Sequence, residues 1–253
     1  MIHRVREWAA LLRAAARVGP GHVTRIVRTL DRMGYWQTVR DRQWVDIHGR
    51  SIPWYAYPLI EFIEDLDFSN HRVFEYGAGN SSLYWRHIAK QVVSVEHDRA
   101  WYEKIRDNVA DNQTILLETE PRKYVETPLA NNPPFDVVVI DGVYRRDCVE
   151  PALASVADEG LIIVDNSDWL PATTAALRDA GMTQVDFKGL CPGIYYPIAS
   201  SVFFRSLSAF PRKRNTLSVA SAPERVHEFD SSVLHPSSGR AHRGESPTPP
   251  ESS

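Results

Sequence analysis

Cysteine is almost missing from this chain: its 253 residues include two, Cys148 and Cys191, far apart and outside any CxxC or Cys/His spacing. That excludes a disulfide framework and a thiolate zinc site, and leaves both thiols as small buried residues. Long apolar runs are missing too. Nothing approaches the ~20 consecutive apolar residues of a bilayer-spanning helix. The opening "MIHRVREWAALLRAAARVG" breaks its apolar residues with arginines, unlike a secretory leader. We therefore expect no transmembrane segment and a cytoplasmic location. A large surplus of one charge is also lacking. A formal net charge of -3 argues against a general nucleic-acid binder.

What is present is unevenly distributed. Residues 1 to 40 carry eight arginines against Glu7 and Asp31, and Val5, Trp8, Leu12 and Ala15/Ala16 recur at helical spacing. We expect residues 1–50 to form a basic helical segment, either packed on the main domain or offered to a membrane surface or an acidic partner. From about Ser208 the chain is rich in Ser, Pro, Arg and Glu without periodicity, which predicts a disordered tail over 208–253.

Between these ends, over 51–207, apolar runs alternate with amphipathic segments. Strands are expected at 72–76, 91–96, 113–118, 135–141 and 160–165, with helices at 81–90, 99–109, 145–157 and 170–180. "MTQVDFKG" and "SSVFFRS" add two strands joined by "LCPGIYYPIA". This pattern predicts an α/β fold: a Rossmann-like, doubly wound, mostly parallel seven-stranded sheet ending in an antiparallel pair. Ligands of such sheets bind beyond the carboxyl ends of the strands, so the chemistry should follow each strand.

After the first strand, "VFEYGAGNSS" places Gly77 and Gly79 in a turn that leads into a helix N-terminus. A dinucleotide loop of the GxGxxG kind would want its third glycine at position 82, which is Ser82. Glu75, two residues before Gly77, suits an ammonium group better than a pyrophosphate. Glu96 ends the second strand 19 residues after Gly77, where an acid commonly holds ribose hydroxyls. A nucleoside bearing an ammonium group and no phosphate fits both acids.

These residues, with "LETE" after the third strand, "FDVVVIDG" at the fourth and the closing strand pair, resemble the class I S-adenosylmethionine-dependent methyltransferases over roughly residues 70 to 206. The resemblance implies S-adenosylmethionine as cofactor. Glu75, Gly77 and Gly79 would surround its methionine portion, Asn80 and Ser81 would line the loop, Glu96 would take the ribose, and the segment from Glu118 to Glu120 would approach the adenine. Ser81 departs from the family's usual final glycine.

For the transfer itself, Asp141 after the fourth strand and Asp165-Asn166 after the fifth offer three oxygen ligands that would suit Mg²⁺, as in the catechol O-methyltransferase-like branch. A metal-free alternative uses Asp141 or Asp165 as general base. Tyr144, Arg145 and Arg146 are candidate substrate residues, the arginines for an acidic substrate. Trp54, Tyr55 and Tyr57 cover the cofactor, stack on a substrate ring, or belong to a helix packed on the sheet. Tyr195 and Tyr196 are candidates for another pocket wall, and His97 reads as a cofactor-side or structural residue. The expected activity is O-methylation of a small molecule or sugar-like metabolite. A nucleotide-dependent oxidoreductase binding NAD, and a non-catalytic protein that engages a partner through its basic N-terminal region, are the alternatives.

Overall fold

The computed structural model of the protein describes residues 19–213 together with 13, 16 and 17. The amphipathic helix expected around Val5 to Ala16, and the tail from 214 onward, lie outside the described residues apart from those three positions.

Seven strands form one sheet: β1 (Arg72–Tyr76), β2 (Gln91–Glu96), β3 (Gln113–Leu117), β4 (Phe135–Ile140), β5 (Val156–Val164), β6 (Thr183–Gly189) and β7 (Ile198–Phe204). Their order is β3-β2-β1-β4-β5-β7-β6, and β7 alone runs against its neighbours. The helices are α1 (Pro20–Arg32), α2 (Tyr35–Asp41), α3 (Tyr57–Glu64), α4 (Asn80–Ile88), α5 (Arg99–Ile105), α6 (Pro121–Ala130), α7 (Val149–Ser155) and α8 (Pro171–Asp179), with a 3₁₀ turn at Ser167–Trp169.

Successive side chains of a strand leave opposite faces of a sheet, so the continuous apolar strands feed two cores. Val73, Val92, Val137, Val139, Leu161, Ile163 and Val202 meet Leu59, Ile63 and Trp85 on one face. Phe74, Val93, Val138, Ile140, Ile162 and Phe203 meet Tyr124, Val149 and Leu177 on the other. This alternation fixes register, and register brings the ends of β1, β2, β4 and β5 into one row.

Three expectations are revised. Helix α6, between β3 and β4, is absent from the expected helices. Pro121 occupies the first turn, where its missing N–H costs nothing, and the Glu120 carboxylate accepts the N–H groups of Arg122 and Lys123. Second, β5 begins at Val156, with a register irregularity opposite Phe135 and Val137, so α7 occupies only 149–155 of the helix expected over 145–157. Third, residues 208–213, assigned to the tail by composition, are packed. Phe210 is buried against Phe68 and stacks on His71 at 4.7 Å, and Leu66 bridges to Arg212. A chain ending at 207 should therefore be less stable by about 3 kcal/mol, the usual loss for deleting a buried aromatic, whereas one ending at 213 keeps these contacts. Comparing the melting temperatures of the two truncations checks this.

Helix α1 carries Val23, Ile26, Val27 and Leu30 at helical spacing with Arg25, Arg28 and Arg32 on the opposite side. Leu30 and Met33 rest on the core, while Ile26 and Val27 are exposed.

Candidate active site

At the row of strand ends, the first glycine-rich turn is held from beneath by two carboxylates. Glu75 is fully buried on β1, opposite Ser94 of β2. Its Oε2 accepts the hydroxyls of Ser82 and, at 2.8 Å, Ser94; its Oε1 has no partner. Burial pushes the carboxyl up to about 7 from 4.5, against the opposing pull of the serine hydroxyls. Ser82 also accepts the Gly79 N–H at 3.0 Å, so one hydroxyl links the turn to the acid below it. Glu96 closes the turn from the other side: its Oε2 accepts the Ala78 N–H at 3.1 Å, and its Oε1 accepts the N–H groups of His97 and Asp98.

The two glycines differ in purpose. Gly77 has φ +87°, and a Cβ there would lie 3.0 Å from the Gly142 Cα, so it is needed for turn-to-turn packing. Gly79 is extended (φ -177°), and a Cβ there would meet nothing within 4 Å. Its missing side chain leaves room in a cavity of about 280 Å³ lined by Trp44, Trp54, Trp101, Asp141 and the turn 77–81. Gly142 is the tighter position, since a Cβ would come within 2.1 Å of the Tyr124 hydroxyl and 2.9 Å of the Gly77 nitrogen. We expect Gly142→Ala to lower stability by about 2 kcal/mol through overpacking, and Gly79→Ala to leave the melting temperature unchanged while weakening any ligand of the cavity; thermal unfolding beside ligand titration checks both.

Three tryptophans wall this cavity, two of them from the segment before the sheet. Trp44 and Trp54 lie 5.2 Å apart and tilted, Asn80 donates to the Trp44 carbonyl at 3.0 Å, and the Trp101 indole N–H donates to the Ala78 carbonyl at 2.7 Å. Trp54 thus faces the site while Tyr55 and Tyr57 are buried in the core, so the two readings of that aromatic cluster divide between its members. Trp44 and Trp101 were missed because nothing in their local sequence marks them. Glu118 sits beside β2 through its N–H, which donates to the Glu96 carbonyl at 2.9 Å. Its carboxylate turns to the Glu120 N–H and lines a separate groove with Leu117 and Lys123. The His97 ring Nδ1 lies 3.0 Å from the Glu96 carboxylate, on the second-strand side of the turn.

At the ends of β4 and β5, the three oxygen ligands expected for a metal are already engaged. The Arg145 guanidinium folds back from the β4 turn. It donates to the Asp141 carboxylate at 3.0 Å, the Gly142 carbonyl at 2.8 Å, the Asp165 carbonyl at 2.6 Å and Asn166 Oδ1 at 3.2 Å. Asp165 Oδ1 accepts the Ser200 hydroxyl at 2.5 Å, and that hydroxyl in turn accepts the Ala56 N–H. The guanidinium engages two of the side-chain oxygens that Mg²⁺ would need, on Asp141 and Asn166, and a second cation there would face it at close range. Asp141, Asp165 and Asn166 therefore do not fit a metal centre, and among the described residues no cluster of three or more His, Cys, Asp and Glu could hold one. Arg145 is correspondingly committed to the protein and not offered to a substrate. The sequence could not show this, because Asp141 and Arg145 are four residues apart in a turn whose direction is set by Tyr144 at φ +54°.

Desolvation holds both acids above the usual carboxylate range, with Arg145 pulling the other way; for Asp165 the neighbouring charge of Asp141 adds to the rise. They differ in access. Asp165 is sealed, whereas the Asp141 side chain is 27% exposed and lines the cavity.

No family model matches the chain, and no curated protein matches its sequence. Among solved structures it is similar to a precorrin-6y C5,15-methyltransferase from Geobacter metallireducens GS-15, with 18% identity, 58% of this chain and 88% of that chain covered, and a TM-score of 0.47. It is also similar to the O-methyltransferase TomG from Streptomyces achromogenes, with 17% identity, 59% and 78% covered, and a TM-score of 0.45. A spermidine synthase from Thermotoga maritima is similar at 12% identity, with 71% and 64% covered and a TM-score of 0.45. The architecture is carried by the sheet itself, with five parallel strands in the order β3-β2-β1-β4-β5 and the antiparallel β7 inserted before β6. This is a Rossmann-like, doubly wound sheet closed by an antiparallel pair. Within that fold the glycine turn lies at the β1 end, next to the β4 turn that carries Asp141.

Proposed function

We propose that the chain is an S-adenosylmethionine-dependent methyltransferase that acts on a hydroxyl of a small molecule without a metal. The observation that carries the reading is Glu75: a buried carboxylate beneath the glycine turn, with one oxygen lacking a partner, suits a cationic ligand. The residues fit the methyl donor. Glu75 would serve its ammonium group, Glu96 its ribose, the segment 118–120 its adenine, and Gly79, Asn80 and Ser81 would border it. NAD fits less well, because the N–H groups of Gly77, Ala78 and Gly79 are all taken internally, by Val95, Glu96 and Ser82, and are not free for a pyrophosphate.

When bound, the donor supplies a methyl group already activated on a sulfonium, so the protein's task is alignment and proton removal. Asp141 takes the acceptor's hydroxyl proton, because it is the acid that reaches the cavity and burial makes it more basic than a free aspartate. Asp165, sealed behind Ser200, positions the β5 end; Arg145 orients Asp141 and stabilises its ionised form.

The test is the pH dependence of S-adenosylhomocysteine affinity, measured by equilibrium dialysis with and without EDTA. An ammonium ligand pairs with ionised Glu75, and ionisation is nearly complete at pH 8 but reaches about a tenth at pH 6 for a group titrating near 7. Affinity should be about tenfold weaker at pH 6 than at pH 8 and indifferent to EDTA. Affinity that is flat across this range, or strengthened by Mg²⁺, counts against the reading.

A further inference from the structure

Helix α1 has one apolar side and one basic side, yet none of its residues is buried. A helix patterned this way normally hides its apolar stripe. Here only the C-terminal end does so, where Leu30 and Met33 rest on the core. Nearer its start the same side is bare, with Ile26 59% and Val27 45% exposed.

The bare side continues onto α2. The Trp36 indole N–H donates to the Val27 carbonyl at 3.1 Å, which holds its half-open ring beside that residue. Val39, one turn further along α2, is exposed with Trp36, while Tyr35 and Thr38 face inward. Ile26, Val27, Trp36 and Val39 are thereby joined into one apolar ridge across the helix pair.

Basic groups border that ridge. Arg25 precedes Ile26 and Arg28 follows Val27, so an exposed guanidinium flanks the pair on either side, and exposed Arg13 and Arg17 precede the helix in the chain. Asp31 is the one acid of α1. Arg40 is paired with Asp41 at 2.7 Å, Arg42 at the end of α2 is exposed, and Arg32 lines the cavity beside α3 with Asp46, Glu61 and Glu64. Since the whole chain carries a formal charge of -3, this cationic surplus is local.

Aliphatic side chains and an indole set between arginines match an anionic lipid interface, which accepts apolar groups below its headgroups and guanidinium groups at its phosphates. A second copy of this face would bring arginine against arginine, and a nucleic acid would give the aliphatic residues no partner. Among the described residues no helix is long and apolar enough to cross a membrane, so the association would be peripheral.

We propose that α1 and the adjoining α2 dock the protein on an anionic lipid surface, with Ile26, Val27, Trp36 and Val39 entering the interface and Arg25 and Arg28 meeting the headgroups. The proposal goes beyond the methyl-transfer reading and does not depend on it. Helix α2 leads within a few residues to Trp44, a wall of the site cavity, so the docking face and the site share one segment of chain.

The test is co-sedimentation of the full chain with vesicles of phosphatidylcholine alone and of a mixture with phosphatidylglycerol. Partitioning onto the anionic vesicles should be at least tenfold stronger than onto the neutral ones and should fall steeply in about 0.5 M NaCl. Arg25→Gln with Arg28→Gln should weaken it about thirtyfold, the usual effect of two basic residues at such a surface. Ile26→Gln with Val27→Gln keeps good helix formers at exposed positions and should weaken it about tenfold. Both pairs should leave the melting temperature and S-adenosylhomocysteine affinity unchanged, so failure of the donor reading would be seen separately. Equal binding to both vesicles, no binding to either, or indifference to both pairs overturns the proposal. Binding of polyglutamate without binding of vesicles would assign the face to an acidic protein, and self-association lost in the Ile26/Val27 pair would assign it to a second copy; either result overturns it as well.

Discussion

Glu75→Gln should give a protein that is more stable at pH 8 and unable to hold the methyl donor. The folded protein keeps a proton on Glu75 up to about pH 7, whereas the ordinary carboxyl loses it near 4.5. Between those values the native state binds more protons than the unfolded chain, so stability falls as pH rises and the whole penalty is present above 7. A shift of this size corresponds to ~3 kcal/mol. Gln keeps the shape and can still accept the Ser82 and Ser94 hydroxyls on its amide oxygen, but carries no charge. Its amide nitrogen inherits the unpartnered position, which removes part of the gain. We therefore expect a melting temperature higher by roughly 2–6 °C at pH 8, and little change at pH 5, where Glu75 itself is neutral. The same change removes a charged partner of the ligand's ammonium, worth about 3 kcal/mol or a hundredfold in affinity. Thermal unfolding at the two pH values beside donor titration reads both effects. A variant that gains stability and keeps donor affinity would show that Glu75 is buried for some other purpose.

The second large effect is expected at Arg145. Its guanidinium makes four hydrogen bonds that join the β4 turn to the end of β5 and leaves the Asp141 carboxylate with a charged partner. Arg145→Ala frees the Gly142 and Asp165 carbonyls and removes the cation that offsets Asp141, a loss of about 3 kcal/mol for a largely buried pair broken on one side. The melting temperature should fall by roughly 6–12 °C. Arg145→Lys supplies charge without the planar fork and should recover less than half of the loss. If Mg²⁺ raised the melting temperature of the native protein, Arg145 would not be the resident cation of this junction, and the metal-free reading would fail with it.

Much of the site was legible because its acids follow strands. Glu75, Glu96, Asp141 and Asp165 sit at the ends of continuous apolar runs, and parallel pairing must bring those ends together. What could not be read was how polar groups choose partners once assembled. Ser82, noted only as the residue in place of a glycine, joins the turn to Glu75; Ser94 and Ser200 support Glu75 and Asp165 from neighbouring strands. These partnerships depend on register between distant segments. Nothing in the sequence showed that Arg145 would fold onto Asp141 and Asn166, two of the oxygens assigned to a metal. Trp44 comes from a segment with no motif of its own and is placed by its backbone carbonyl, which Asn80 binds. In the fold, the helix between β3 and β4 was missed although Glu120-Pro121 is itself a helix-start signal.

The most direct test of the account is a calorimetric titration of the full chain at pH 8 with S-adenosylhomocysteine and, separately, with NAD. The site described here predicts one-to-one binding of S-adenosylhomocysteine in the micromolar range and no heat from NAD. Binding of NAD, or of neither nucleoside, would contradict it.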